Sequence, residues 1–382
     1  MAQIKKILIV CGEPSGDLLA GNLAAALKSL NPEIKIIACG GKTLAQNNAE
    51  IFYQIKGLAV MGLFDVLKNI PKFLQLKKII LQKIASEKPD AIILVDFSGF
   101  NLRLAKGINN KIPVIYYVSP QIWASRPGRI RQIKRFISKM IVLFKFEEDL
   151  YQTAGVDVSF AGHPIVESVK PAVSKEDFLK NLGLDPKKIT LALLPGSRKQ
   201  EIKYLLPVML QATEMIAQNF PQAQFVIAKS NHLETAVYQK ILKNSKLTIK
   251  IVEGKTSDCL NASDLSLVCS GTATLEAGLI GKPFLIIYKM NLLNYLLYRP
   301  QIRVPCIGII NIIAGKKIIP EFIQFQATAA NISRQAITLL NDPAQRQDMQ
   351  NKLSAACLNL GLPGASKRAA EAILNFLNNL KK

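Results

Sequence analysis

Between Leu265 and Ile280 the chain passes from a short apolar run, Leu265 to Cys269, through Ser270-Gly271-Thr272 and into a stretch carrying Leu275, Leu279 and Ile280 on one helical face. The run reads as a buried strand. A strand that ends in such a turn and feeds a helix points several free backbone N–H groups outward at the positive end of the helix dipole, and that geometry binds phosphate. Glu276, early in the helix, falls within reach of ribose hydroxyls if a nucleotide diphosphate lies there. The same pattern also describes an ordinary strand–turn–helix corner with a Ser/Thr cap, so the rest of the chain has to decide between the two.

The alternation recurs. Thr190 to Leu194 is another apolar run, followed by Pro195-Gly196-Ser197-Arg198 and a helical stretch to about Phe220, with Arg198 set to grip phosphate in a bidentate way. Gln224–Ala228, Lys250–Val252 and Phe284–Tyr288 supply further strands. In the first half, Lys6–Cys11 leads into Gly12-Glu13-Pro14-Ser15-Gly16-Asp17 and a helix to Leu30. That loop is not G-x-G-x-x-G, so the dinucleotide fingerprint is not met. Ala91–Val95 ends at Asp96, and Val114–Val118 leads to Ser119-Pro120 and the only tryptophan, Trp123. In an open α/β sheet, ligands bind beyond the carboxyl ends of the strands, where Asp96 can accept a proton from a hydroxyl. Ser15 can equally cap its helix, and Asp96 can cap one or pair with an Arg. A polar, proline-bearing stretch after Gly162-His163-Pro164 marks a boundary, with His163 read as a satisfied linker histidine. The pattern predicts an α/β protein of two Rossmann-like domains facing across a cleft. They span residues 1–165 and 166–345, and helices over 346–382 are expected to pack back toward the first.

Composition narrows the partners. Of 382 residues 49% are apolar and 20% charged, which makes the chain globular, and a net charge of +22 calls for an acidic partner. Ala124 to Phe146 and Val66 to Ser86 are basic and free of acids, with Ile, Leu and Phe between the charges. That suits an anionic membrane surface better than a nucleic-acid groove. Gly57 to Ile84 reads as a helical stretch that Pro71 divides or kinks, most simply a pair of amphipathic core helices. The functional alternative is a tip of Met61, Leu63 and Phe64, with Lys68 and Lys72, dipping into an anionic leaflet. No run is long enough to span a bilayer or to serve as a signal sequence, so a cytoplasmic protein is expected. Six cysteines without a C-x-x-C pair read as small buried hydrophobes. With two histidines and no D-x-D element, neither a metal nor a cofactor is expected.

Two phosphate-type corners in the second half, with Asp96, Trp123 and a basic apolar face in the first, describe a nucleotide-sugar transferase of GT-B type. An ordered set of stretches then resembles the lipid-A-disaccharide synthases over nearly the whole length. They are Gly12-Glu13-Pro14-Ser15-Gly16-Asp17, Asp96 through Phe100-Asn101-Leu102-Arg103, Tyr117-Val118-Ser119-Pro120 with Trp123-Ala124, and Phe160-Ala161-Gly162-His163-Pro164. Leu194-Pro195-Gly196-Ser197-Arg198, Ser270 through Ala277, Asn311, Ala314-Gly315 and Pro320-Glu321-Phe322 with Gln324 continue the series.

The resemblance implies an inverting transferase, peripheral on the inner face of the inner membrane. It would join UDP-2,3-diacylglucosamine to 2,3-diacylglucosamine 1-phosphate by a β-1,6 bond and release UDP. Around UDP it places Ser197, Arg198, Ser270, Gly271, Thr272, Glu276, Asn311 and Gln324. Asp96 is then the base, with Glu13, Ser15, Gly16, Asn101, Ser119, Trp123 and Arg126 as acceptor-side candidates. This chain departs from the pattern at Gly99, where many members carry a second acid, and at Ser125, where many carry Trp. Expected partners are the two acylated sugars, an anionic membrane surface and a second copy of the chain, with no nucleic acid. The alternatives are another GT-B transferase or a UDP-sugar epimerase and, more distantly, a basic nucleic-acid-binding or membrane-surface protein.

Overall fold

The computed structural model describes residues 4–55 and 63–380, with side chains described throughout except at 63–68. The chain forms two compact units, Met1–Pro164 with Leu360–Lys382, and Ile165–Asn359.

The first unit is built on strands β1 (Lys6–Val10), β2 (Lys35–Gly40), β3 (Glu50–Gln54), β4 (Ala91–Val95), β5 (Val114–Tyr117), β6 (Lys139–Val142) and β7 (Val158–Phe160). They form one parallel sheet in the order β3-β2-β1-β4-β5-β6-β7. Continuous rather than alternating hydrophobicity follows from this architecture, because helices cover both faces and Ile7–Val10 and Ala91–Val95 are wholly buried. Strand order reverses between β1 and β4, so the loops after these two strands diverge and leave a crevice at their carboxyl ends.

The Asp17 carboxylate accepts from the N–H groups of Gly41 (2.6 Å), Thr43 (2.8 Å) and Leu44 (3.4 Å). It thereby caps the helix Lys42–Gln46 and ties the β1 loop to the β2 loop. Leu63–Glu87 is a single helix with Pro71 inside it, so of the two effects expected of this proline, division does not occur. Met61 lies outside the described residues, as do the side chains of Leu63, Phe64 and Lys68, whereas Lys72 is exposed. The last helix, Ala365–Leu380, packs on the helix Pro14–Leu30 through buried Ala369, Ala370, Ile373 and Leu377. Arg368 Nε donates to the Ala161 carbonyl at 2.8 Å.

The second unit repeats the scheme with β8 (Thr190–Leu194), β9 (Gln224–Lys229), β10 (Ile249–Glu253), β11 (Leu265–Cys269), β12 (Phe284–Tyr288) and β13 (Glu321–Ile323). Their order is β10-β9-β8-β11-β12-β13, all parallel. The reversal here falls between β8 and β11, where Leu194 pairs with Val268. The helix Pro343–Cys357 belongs to this unit. Among the described residues, no helix is long and apolar enough to cross a membrane.

Candidate functional site

The β8/β11 reversal brings together the two corners picked out in the sequence. Beyond β11, Ser270 Oγ donates to the Ile307 carbonyl at 3.0 Å and Thr274 Oγ1 to the Gly271 carbonyl at 2.8 Å, which fixes the turn from both sides. The N–H groups of Gly271, Thr272 and Ala273 bond to no described residue, and they stand at the N-terminus of the helix Ala273–Ile280. Three unpaired amides on a helix end are an arrangement that suits an anion.

The corner beyond β8 is arranged differently. Glu201 turns back so that its Oε2 accepts from Ser197 N (2.8 Å) and Arg198 N (3.2 Å), while Oε1 pairs with Arg198 Nη1 at 3.2 Å. Gly196 sits at φ +109°, and a Cβ there would run into this carboxylate. The amides of this turn are therefore engaged by the protein itself, and what the corner offers is the half-exposed Arg198 guanidinium. Burial pushes the Cys269 thiol and the Tyr288 hydroxyl up, the Glu201 charge pushes them further and Arg198 opposes it. Arg198 thus acts at the carboxyl ends of β11 and β12.

One turn into the helix, Glu276 lines a cavity of about 410 Å³ together with Lys255, Thr256, Ser257 and Lys170. Burial raises its carboxyl, and no described residue donates a hydrogen bond to it. The Asp258 carboxylate at the same wall is already used, accepting from Ala172 N at 2.6 Å.

Asn311 and Gln324 stand beside the site as struts. Asn311 is buried, donating to Ile319 O (2.9 Å) and Glu321 (2.7 Å) and accepting from Ile318 N and Ile319 N (both 2.9 Å). Gln324 holds Met290, its Oε1 accepting from the N–H at 3.1 Å and its Nε2 donating to the carbonyl at 3.0 Å. The Asn311 amide is fully used by these four bonds, whereas Gln324 spends one N–H and one lone pair on Met290 and keeps a second of each.

In the first unit, the crevice between β1 and β4 holds Asp96 in the left-handed region (φ +47°), with Phe97 beside it at +45° and Val118 after β5 at +69°. Left-handed Phe and Val are strained, and strain of this kind gathers at functional sites. It is held here by Asn101, whose Nδ2 donates to Val95 O (3.2 Å) and Asp96 O (2.9 Å), and by the Tyr116 hydroxyl on Asp96 O. The β1 loop closes from the other side. A Cβ on Gly12 would collide with the Phe97 ring, and Gly16 lies against Asp96. Burial, with the Glu13 charge nearby, raises the Asp96 carboxyl to about 6. That suits a general base working near neutral pH.

The remaining candidates divide. Ser15 is exposed in the first helical turn and makes no cap. Ser119 is buried, its Oγ 2.8 Å from the Tyr151 hydroxyl, and Trp123 Nε1 donates to Glu147 at 2.9 Å. These two brace the β5 loop. Arg126 is exposed, and Arg129 just after it reaches Ser98 Oγ at 3.0 Å. Burial lowers His163 to about 4, so it is neutral at physiological pH, and it packs 5.4 Å from the Phe144 ring.

The family model described as lipid-A-disaccharide synthetase matches residues 7–376. The chain belongs to the lipid-A-disaccharide synthase family. Lipid-A-disaccharide synthases of Syntrophus aciditrophicus and Myxococcus xanthus are 40% and 39% identical to it, over 98% and 99% of both chains. That of Coxiella burnetii is 38% identical over 98% of this chain and 99% of its own. As a member of this family the protein is a glycosyltransferase of lipid A biosynthesis, and neither another GT-B transferase or UDP-sugar epimerase nor a nucleic-acid-binding or membrane-surface protein is favoured. Among solved structures, a putative UDP-N-acetylglucosamine 2-epimerase from Listeria monocytogenes aligns with a TM-score of 0.64 at 17% identity, over 99% of this chain and 98% of that one. A glycosyltransferase from Rickettsia africae aligns at 0.59 and 12%, over 99% of each. At such identities these two show the fold, which is GT-B.

In this synthase, sequence reasoning missed the Lys255–Ser257 wall of the cavity, the buried acid Glu147 (raised to about 7 by burial) and the Tyr116 brace. Tyr116 sits inside a run that reads only as core. Glu147 had one visible signal, an acid at the start of a helix following a buried strand.

Proposed function

We propose that this transferase holds UDP-2,3-diacylglucosamine in its second unit and takes the 6-hydroxyl of 2,3-diacylglucosamine 1-phosphate as nucleophile, with Asp96 of the first unit as base. The observation that carries the reading is the β8/β11 reversal, where unpaired amides at Gly271–Ala273, the Arg198 guanidinium and the Glu276 cavity lie around one strand-end crevice. Diphosphate oxygens suit the amides and Arg198, and ribose hydroxyls suit Glu276, whose carboxylate is left to accept. As the acceptor oxygen bonds to C1, the C1–O bond to UDP breaks with inversion. The hydroxyl proton passes to Asp96. The charge appearing on the departing diphosphate is stabilised by donors already in place, so little reorganisation opposes the step. The product is a β-1,6 disaccharide.

The reading also includes a cytoplasmic enzyme peripheral on the inner membrane, where its acylated substrates reside. Exposed Ile70 and Leu74, with Lys72, on the helix Leu63–Glu87 support a contact with anionic lipid there. A homodimer is the remaining partner in this reading, to be checked by sedimentation.

The deciding experiment incubates the purified protein with both acylated sugars and follows UDP release and disaccharide by mass spectrometry. Turnover is expected to be undiminished in chelator. Disaccharide without UDP, or UDP without disaccharide, overturns the reading. A second expectation isolates the grip on the nucleotide. Arg198→Ala removes a charged donor, so UDP affinity measured by calorimetry should weaken about 10- to 100-fold. Stability should hardly change, since the lost ion pair is exposed and worth at most about 0.5 kcal/mol.

A further inference from the structure

The second unit carries an apolar surface that the nucleotide site does not use. The helix Leu292–Tyr298 buries none of its residues. Leu293 is 68% exposed, Leu296 59%, Leu292 49% and Leu297 45%. Beside them Phe325, 68% exposed, packs edge-on against Tyr295 with ring centroids 5.8 Å apart. Five large apolar side chains raised together are far more than a soluble surface leaves at random, and such a patch marks an interaction site.

The charge around the patch identifies what covers it. From Ala277 to Pro320 there is no Asp or Glu, and Lys289, Arg299 and Arg303 flank the helix, whereas Lys282, Lys316 and Lys317 precede β12 and β13 and so stand at the opposite ends of these strands. Glu321, the next acid, is buried and accepts from Ile307 N, Gly308 N and Asn311. A leucine wedge with aromatic flanks and with Lys289, Arg299 and Arg303 on either side of it in the chain, without an exposed acid in this stretch, is complementary to an anionic bilayer surface. The wedge is also firmly mounted. Gln324 clamps Met290 just before it, and Asn291 Oδ1 caps it by accepting from Leu293 N at 2.9 Å. It therefore extends directly from the end of β12, next to the β8/β11 crevice of the same unit.

We propose that the helix Leu292–Tyr298 and Phe325 form a lipid-docking surface of the second unit, which inserts among acyl chains while Lys289, Arg299 and Arg303 meet anionic headgroups. This rests on the reading that the enzyme works on bilayer-resident sugars, and it adds a contact in the nucleotide-holding unit to the one on the helix Leu63–Glu87.

The test is flotation of the full-length protein with phosphatidylglycerol–phosphatidylethanolamine vesicles and with phosphatidylcholine vesicles. Alongside it run the protection that UDP gives against thermal unfolding and the sedimentation behaviour. Leu293→Ser/Leu296→Ser/Phe325→Ser should lower partitioning onto the anionic vesicles by about tenfold or more, with UDP protection retained. Arg299→Glu/Arg303→Glu should lower anionic binding as strongly and leave phosphatidylcholine binding unchanged. If the serine substitutions also disturb UDP protection, this charge-reversed variant alone decides. Wild-type partitioning by both variants overturns the proposal. So does a change from dimer to monomer with vesicle binding intact, which assigns the face to a second copy. Vesicle docking by a wild-type protein that UDP does not protect would leave the surface standing and remove the transferase reading instead.

Discussion

Replacing Asp96 by Asn is expected to lower kcat by about 10²- to 10⁴-fold, the usual contribution of a positioned base, and to make the first unit more stable. Both effects come from one feature. Burial and the Glu13 charge raise the Asp96 carboxyl from 3.8 to about 6. Between those values the folded state binds the proton more tightly than the unfolded chain. Stability attributable to this group is therefore full below pH 4, declines as pH rises and reaches its lowest level above about 6. At pH 7 the cost of holding the charge there is on the order of 3 kcal/mol. Asn abolishes the charge, keeps the shape and is, with Asp, among the residues that best tolerate the φ of +47° found here. It should recover about 1–2 kcal/mol, seen as a rise of a few degrees in the unfolding of that unit. In the wild type, kcat/KM should fall as pH drops through about 6 because the base is then protonated. Turnover near wild type in Asp96→Asn, with UDP binding intact, would move the role of base to another group. A loss of stability would show that the carboxylate is compensated by contacts that the buried pocket does not reveal.

The features legible in the sequence were those set by neighbours along the chain. The runs at Lys6, Ala91, Thr190 and Leu265 are continuous because parallel strands covered on both faces leave no room for alternation, and each is a central strand here. The corners after them stood out because turn residues and helix periodicity are local signals. The edge strand Lys250–Val252 was legible, but two other edge strands were not. Glu50–Gln54 is only half-buried, and Glu321–Ile323 is three residues long. Pro71 reads as a divider or a kink, and the helix runs through it undivided. At the site, the residue types were readable but their division of labour was not. Glu201 occupies the turn amides that an anion would otherwise take, Asn311 spends its amide on the Ile318–Ile319 backbone and the Glu321 carboxylate, and Gln324 bonds the Met290 backbone 34 residues away. Such partners depend on the folded geometry. The exposure of the leucines of Leu292–Tyr298 has no local signal in the sequence, and none of them is buried in the fold.

Asn311 allows a structural role to be separated from direct contact with nucleotide. Its side chain satisfies four buried or half-buried partners at once, and Ala in its place leaves the Ile318 and Ile319 amides, the Ile319 carbonyl and one Glu321 oxygen short of a bond. Unsatisfied buried groups cost about 1–3 kcal/mol each, partly relieved by relaxation, so Asn311→Ala should destabilise the second unit by about 3–5 kcal/mol. For a unit of this size, that is a drop of roughly 6–20 °C in its unfolding. The consequence for binding follows a short path. Glu321 also accepts from Ile307 N and Gly308 N at 2.9 Å, and the Ile307 carbonyl receives the Ser270 hydroxyl. Loosening this chain disturbs the Ser270 turn without removing a donor from it. Measured well below the unfolding range, UDP affinity should weaken by less than about fivefold, since no charged or bidentate contact is lost. A side chain that touches the nucleotide directly would give the reverse pattern, with unfolding unchanged and the loss concentrated in affinity, and that result would return Asn311 to the ligand's own shell of contacts.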